Sequence, residues 1–410
     1  MAIRSYPLAL ALLSVFSGSD AELDAPAEHS QGHGHAHGHG NGNAHGHGNG
    51  NGHGGHIYPD PDWTTEAPEQ HGLSADGLQA MAAAADQLDS SCLMVIHDGV
   101  LVGEWYWDGF DRNTDVVNLF SATKSITSTL VGIAQTEHTL QVEQTAASYI
   151  PRWVNTDSAR VTVRNLISND SGRFWSFESD YVTGLLPAPD QTAYAIALSQ
   201  QHEPGVVWEY NNAAIQTLAV VLSQSTGQDI LRFAQDQLFD PIGASARMGQ
   251  DPSGGALAYQ GATASCSDMA RFGYLALREG QWKGEQIVPK QWIEQATQPS
   301  TELNDAYGYM WWLNRKGHVV EPSFPGRVEY DGQLVPGASE ELFFAIGAFG
   351  QLIIVDPKDE YVIVRLQNIP DLNVGFATSV DPVGMKQLRA IVTAFEDAKT
   401  SKKKKKKAPK

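Results

Sequence analysis

Cysteine is almost absent: Cys92 and Cys266 are the only two in 410 residues. Two sulfurs cannot frame a disulfide-built domain, and none stands near another to shape a metal cage. Long apolar runs are missing as well. No stretch of eighteen apolar residues occurs, so no spanning helix is expected. Positive charge is scarce where it would matter for polyanions: 28 Lys and Arg face 47 Asp and Glu, for a net charge of −19, and eight of the lysines crowd into the last twelve residues. A body this acidic repels nucleic acid and anionic membrane, and neither is expected as a partner.

What is present divides the chain into four parts. Residues 1–21 read as a secretory signal, with Arg4 ahead of the apolar Leu8–Phe16 and a small-x-small site at Ser19-Asp20-Ala21. The protein is therefore expected to be exported, to a periplasm or beyond. Residues 22–62 include a His-Gly and Asn-Gly tract holding nine of the fourteen histidines. It cannot bury apolar surface and is expected to be disordered. His33, His35, His37, His39, His45, His47 and His53 could bind a divalent metal loosely, without a defined geometry. Residues 63–398 form the folded body, and 399–410 a lysine-rich, solvated tail. Export permits a Cys92–Cys266 disulfide, but Cys92 falls in a core strand and two buried thiols are expected instead.

Within the body, an alanine-rich helix is predicted over 76–88, then alternating strands over 92–97 and 101–107 joined by the hairpin turn Asp98-Gly99. The middle, about 121–278, reads as helical, with segments over 125–136, 163–167, 194–199, 213–226, 230–238 and 267–278. Strands return over 341–346, 351–355 and 361–367, and a last helix spans 383–398. Strands from both chain ends enclosing a helical lobe indicate an α+β fold with an antiparallel sheet, and a cleft between sheet and lobe is the expected site.

Ser121-Ala122-Thr123-Lys124 sits where the strand-like 116–120 gives way to the helix. A lysine three residues after a first-turn serine shares its face, and a desolvated amine can activate a hydroxyl. The same spacing at Ser401–Lys404, in the charged tail, carries no such context. Tyr210-Asn211-Asn212 opens the apolar helix of 213–226. A phenol beside Lys124 would have its pKa lowered and could carry the Ser121 proton, with Asn212 binding Lys124 or a substrate carbonyl. Alone, that tripeptide reads more readily as a helix cap at Asn212 and a core tyrosine. Ala345–Gln351 offers a strand ending in glycines, whose N–H groups can complete an oxyanion hole with that of Ser121, though alone it reads more readily as a glycine-containing hairpin between two core strands. His97, His138, His202 and His318 have no ligand spacing.

Together these elements resemble the serine β-lactamase and penicillin-binding-protein superfamily, in particular the class C β-lactamase-like branch that includes esterases and 6-aminohexanoate-dimer hydrolases. The likeness covers about residues 90–395. It runs through Phe120–Ser125, Leu166–Gly172, Trp208–Ala213, Asp268–Gly273, Tyr307–Trp312 and Gly347–Gln351. It implies a β-lactamase/transpeptidase-like fold, Ser121 as acylated nucleophile, Lys124 as its activator, Tyr210 as general base and Asn212 in support. The backbone N–H groups of Ser121 and Ala348 would form the oxyanion hole, and no cofactor is required. Where penicillin-active relatives carry Lys-Thr-Gly, this chain has Ala345-Ile346-Gly347, losing an anion-binding lysine. Trp175, Phe177, Trp311, Trp312 and Gly347 are candidate substrate contacts. The expectation is an exported serine hydrolase acting on a small ester or amide. A β-lactamase or D,D-peptidase is the alternative within the class, and a catalytically silent ligand- or metal-binding protein the alternative outside it.

Overall fold

The computed structural model describes residues 56–405, apart from 113, 137–138, 324–325 and 370–380. The leader, the histidine tract with His33 through His53, His138 and the end of the lysine tail lie outside the described residues. In chain order the elements begin with β1 (Thr64–Thr65), α1 (Ala75–Asp86), β2 (Cys92–His97), β3 (Val100–Tyr106) and α2 (Thr123–Thr136). The lobe follows with α3 (Val163–Ser168), α4 (Gln191–Ala197), α5 (Asn212–Gln216), α6 (Leu218–Thr226) and α7 (Ile230–Ala234), then α8 (Cys266–Leu277) and α9 (Lys290–Ala296). The chain ends with β4 (Trp312–Leu313), β5 (Gly317–Ser323), β6 (Gly326–Gly332), β7 (Phe343–Gly347), β8 (Gln351–Asp356), β9 (Tyr361–Leu366) and α10 (Met385–Lys405).

The main sheet has the order β1-β3-β2-β9-β8-β7-β4. Its ladders are antiparallel except for the two-residue β1–β3 edge, which is parallel. The central strands are buried on both faces, and alternation sorts their side chains into two cores. Met94, Ile96, Ile353 and Val364 face the helical lobe with α2 and α8. Leu93, Val95, Ile354 and Ile363 face the layer made by α1 and α10. The architecture is the expected α+β sandwich: a sheet closed by both chain ends, helices on each face and a helical insert.

Local chemistry sets the element boundaries. Asp98 and Gly99 both take positive φ, as a two-residue hairpin requires. Ser265 caps α8 through a reciprocal box with Asp268. Asp190 caps α4 by accepting from the Ala193 N–H at 2.7 Å, so that helix starts earlier than predicted. The predicted helix over 213–226 is two, α5 and α6, broken at Thr217, whose hydroxyl donates back to the Ala214 carbonyl at 2.6 Å. The helix α9 and the β5–β6 hairpin were not expected. Helix α10 runs past Ala398 to Lys405, as lysine-rich sequence readily does. Packing also begins ahead of Trp63: the Tyr58 ring meets those of Tyr274 and Trp282 at 5.5 and 5.1 Å.

The cysteines correct the sequence reading. Cys92 heads β2 and Cys266 opens α8, which packs on that strand, so the fold brings their Cα atoms to 6.5 Å and they form a disulfide rather than two thiols.

Candidate active site

Ser121 sits on a tight turn. The run expected as a strand over 116–120 pairs only at Val117–Asn118, and a 3-10 turn over Phe120–Ala122 leads into α2. Phe120, directly before the serine, has φ 46°, and Phe349, beyond Ala348, has φ 62°. Such angles are costly for aromatic residues and cluster where a fold must hold a reactive group. The two strained rings meet edge to face at 5.3 Å. Gly347 explains how the end of β7 reaches this turn: a Cβ there would collide with the Leu119 carbonyl oxygen and lie 3.2 Å from the Ala122 nitrogen. Gly347 is thus a close-approach residue beneath the site rather than part of the cavity wall.

One turn into α2, Lys124 is 1% exposed. Its Nζ donates to Ser121 Oγ at 2.8 Å and to the Tyr259 carbonyl at 3.0 Å. Burial lowers its pKa to about 7, with the Asp180 carboxylate opposing that fall. Tyr210 lies across from it, but the amine faces the ring, 4.7 Å from its centroid. Burial pushes the Tyr210 phenol up to about 12, and the Ser121 and Trp312 side chains only partly offset this. The expected fall in the Tyr210 pKa is therefore reversed. An amine that has itself lost much of its charge to desolvation cannot hold a phenolate.

Asn212 does not bond Lys124. Its backbone N–H donates to Asp180 Oδ2 at 2.9 Å and its Nδ2 to the Tyr181 hydroxyl at 2.8 Å. The helix cap is Asn211, accepting from the Ala214 N–H at 2.8 Å. Asp180 and Tyr181 share a π-turn, Glu178–Val182. Neither was singled out from the sequence; the signal was an acid-aromatic pair soon after Trp175 and Phe177.

Around these groups lies a cavity of about 220 Å³ lined by Ser121, Asp180, Tyr210, Asn212, Trp312 and Ala348, with Phe120, Ile346, Phe349 and Met385 among its apolar walls. No Lys or Arg lines it among the described residues. Trp312 faces this cavity as expected. Trp311 does not: it is 1% exposed and packs on Phe272 and Phe343 at 5.7 and 5.2 Å, because adjacent residues point to opposite faces. Trp175 and Phe177 line a smaller recess next door, which shares Tyr181, Tyr210 and Pro322 with the main cavity. Among the described residues no group of three or more His, Cys, Asp or Glu could hold a metal. No described helix is long and apolar enough to cross a membrane.

A family model described as Beta-lactamase matches residues 75–379. The chain belongs to the beta-lactamase family. Within it, the chain is 22% identical over 323 residues to 6-aminohexanoate-dimer hydrolase of Paenarthrobacter ureafaciens, covering 70% of this chain and 75% of that one. The fold matches a penicillin-binding protein homolog from Caulobacter crescentus with a TM-score of 0.56 at 15% identity, over 78% of this chain and 98% of that one. It also matches a family VIII carboxylesterase with a TM-score of 0.55 at 16% identity, over 80% and 98%. The beta-lactamase fold thus hosts the Ser121–Lys124–Tyr210 cluster on the turn, helix and lobe segment described above.

Proposed function

We propose that this protein is a serine hydrolase that cleaves an uncharged ester or amide through an acyl-enzyme on Ser121. The observation that carries the reading is the Lys124 amine, buried and lowered toward neutrality, 2.8 Å from the hydroxyl of Ser121, which itself lines a cavity with mostly apolar walls. Lys124 takes the Ser121 proton as Oγ adds to the substrate carbonyl carbon. The backbone N–H groups of Ser121 and Ala348 hold the developing oxyanion. Tyr210, protonated at neutral pH, gives its proton to the departing alcohol or amine and is reprotonated from Lys124. Water then attacks the acyl ester by the reverse relay, releases the acid and restores Ser121.

The cavity favours ester and linear amide substrates over β-lactams. Ile346 lines it where penicillin-active relatives carry a threonine, and among the described residues no cationic side chain lines it to pair with a substrate carboxylate. Export is part of the same proposal, supported by the Cys92–Cys266 bridge, since disulfides persist in oxidising compartments. Intact-mass labelling with a fluorophosphonate tests the core of the reading. One adduct is expected on the wild type, none on Ser121→Ala, and slower labelling of Tyr210→Phe. Equal labelling of wild type and Ser121→Ala would discard it. Turnover of a chromogenic cephalosporin at the rate of a simple ester would instead favour the β-lactam reading.

A further inference from the structure

The turn that carries Ala348 is held from behind by a cation. Arg365, near the end of β9, is fully buried. Its Nη1 donates to the Phe349 carbonyl at 2.5 Å and to the Gly350 carbonyl at 2.9 Å. Its Nε donates to Ser90 Oγ at 2.7 Å, and its Nη2 to the Leu88 carbonyl and, at 3.2 Å, to Gln367 Oε1. Every guanidinium N–H is thus engaged, and every acceptor is a neutral oxygen. Burying a cation among neutral dipoles is expensive, and an apolar side chain of similar volume would fill the space at less cost.

The two carbonyls on Nη1 follow Ala348 directly. Phe349 and Gly350 both have positive φ, 62° and 78°, a backbone state that an aromatic residue holds only under constraint. Gly350 permits the approach of the guanidinium: a Cβ there would stand 2.8 Å from Arg365 Nη1. On the other side, the Phe349 N–H donates to the Pro382 carbonyl at 3.1 Å. Gly384 lets that segment come close, since a Cβ there would stand 2.9 Å from the Gly347 carbonyl oxygen and 3.0 Å from the Gly350 nitrogen. The strained turn is therefore clamped between Arg365 and the chain leading into α10, while Ala348 lines the cavity with Ser121. The Leu88 and Ser90 contacts tie the guanidinium to the chain that follows α1, so it cannot simply move with the turn.

We propose that Arg365 is a positioning residue for the oxyanion hole: by gripping the Phe349 and Gly350 carbonyls, its guanidinium keeps the strained turn from relaxing and so holds the Ala348 N–H where the oxyanion forms. The inference rests on the proposed roles of Ser121 as nucleophile and of the Ala348 N–H as oxyanion donor. Arg365 is not among the residues that line the cavity, so it acts only through the turn. Its effect reaches the substrate as charge develops on the carbonyl oxygen. It therefore bears on the chemical step and leaves ground-state binding alone.

The test measures kcat and KM for p-nitrophenyl acetate, with a thermal melt, on wild type, Arg365→Lys, Arg365→Gln and Ser90→Ala. Lysine keeps the charge without the planar fork, and glutamine keeps a donor without the charge. In both, kcat should fall by about 10–100-fold with KM within about threefold of wild type. Inhibition by phenylboronic acid, which adds to Ser121 Oγ and sets a boronate oxygen in the hole, should weaken by a similar factor. Ser90→Ala removes only the acceptor on Nε. It should lower the melt but leave kcat within about twofold of wild type, because both bonds to the turn remain. Where only one Arg365 variant melts cooperatively, that one decides. An unchanged kcat in a folded variant, a loss that lies in KM, or an equal loss in Ser90→Ala overturns the proposal while leaving Ser121 and Lys124 in their roles. Absence of a cooperative melt in both Arg365 variants also overturns it, because the guanidinium would then serve the fold. A wild type that takes no fluorophosphonate on Ser121 and hydrolyses no ester removes the underlying reading as well.

Discussion

Loss of water on burial is what lowers the Lys124 pKa. Its tetrapeptide was visible in the sequence because serine and lysine three apart on a helix must share a face. The pKa of its partner was not visible, because desolvation depends on what the rest of the chain packs around the phenol. Trp311 and Trp312 make the same point: which of two neighbours faces the cavity is set by the register of β4 on β7, where Trp312 pairs with Phe344. A prediction follows from the Lys124 pKa. In the proposed relay the base must be neutral, so kcat/KM for a simple ester should rise through about pH 7 as Lys124 deprotonates and level off above it. Lys124→Met should lose on the order of 10²–10⁴ in kcat/KM. Lys124→Arg, which stays charged, should be no better. An acid limb that persists unchanged in Lys124→Met would assign that ionisation to another group.

Elements were readable where their periodicity was clean and obscure where it was not. The strands β2, β8 and β9 announced themselves as apolar runs. The β5–β6 hairpin did not, because β6 is largely exposed and offers no apolar run. Yet this hairpin carries Pro322 into the cavity wall, and its Arg327 binds Glu209 and the Trp208 carbonyl, each at 2.9 Å. A second unread association lies at the end of the inner strand β2. His97, at the end of β2, has Nδ1 2.8 Å from His71 Nδ1, and His71 Nε2 is 2.9 Å from Glu66. Burial first, and then His71, lower the His97 pKa, so the folded protein prefers that imidazole neutral. The unfolded chain binds the proton more readily, and this contribution to stability is present above the ordinary histidine value of about 6.5 and lost as pH falls below it. The urea midpoint should therefore drop between about pH 8 and about pH 5. The drop should be smaller in His97→Phe, which keeps a ring against Tyr361 in place of the present contact at 4.3 Å. An equal drop in both proteins would place the titrating group elsewhere.

At the scale of the whole molecule, the α+β class and the closure of one sheet by both chain ends were legible, since strands flanked a helical middle in the sequence itself. The disulfide was not: its partners are 174 residues apart and meet only because α8 lies on β2. In the chain-entropy account a crosslink over so long a loop chiefly restrains the unfolded state. Denaturant titrations of the oxidised protein and of Cys92→Ser with Cys266→Ser should differ by about 2–5 kcal/mol, with the folded spectrum unchanged. No difference would mean that packing of α8 on the sheet already suffices.

The pairing of β2 with β9 has a further consequence, for how the protein is made. The first hairpin leaves the ribosome long before the strand that will lie beside it is synthesised, and it waits with an unpaired edge. Contacts this remote in sequence delay the rate-limiting collapse until nearly the entire polypeptide is available. Shortening the chain from the C-terminal end should therefore yield an aggregate rather than a smaller folded protein.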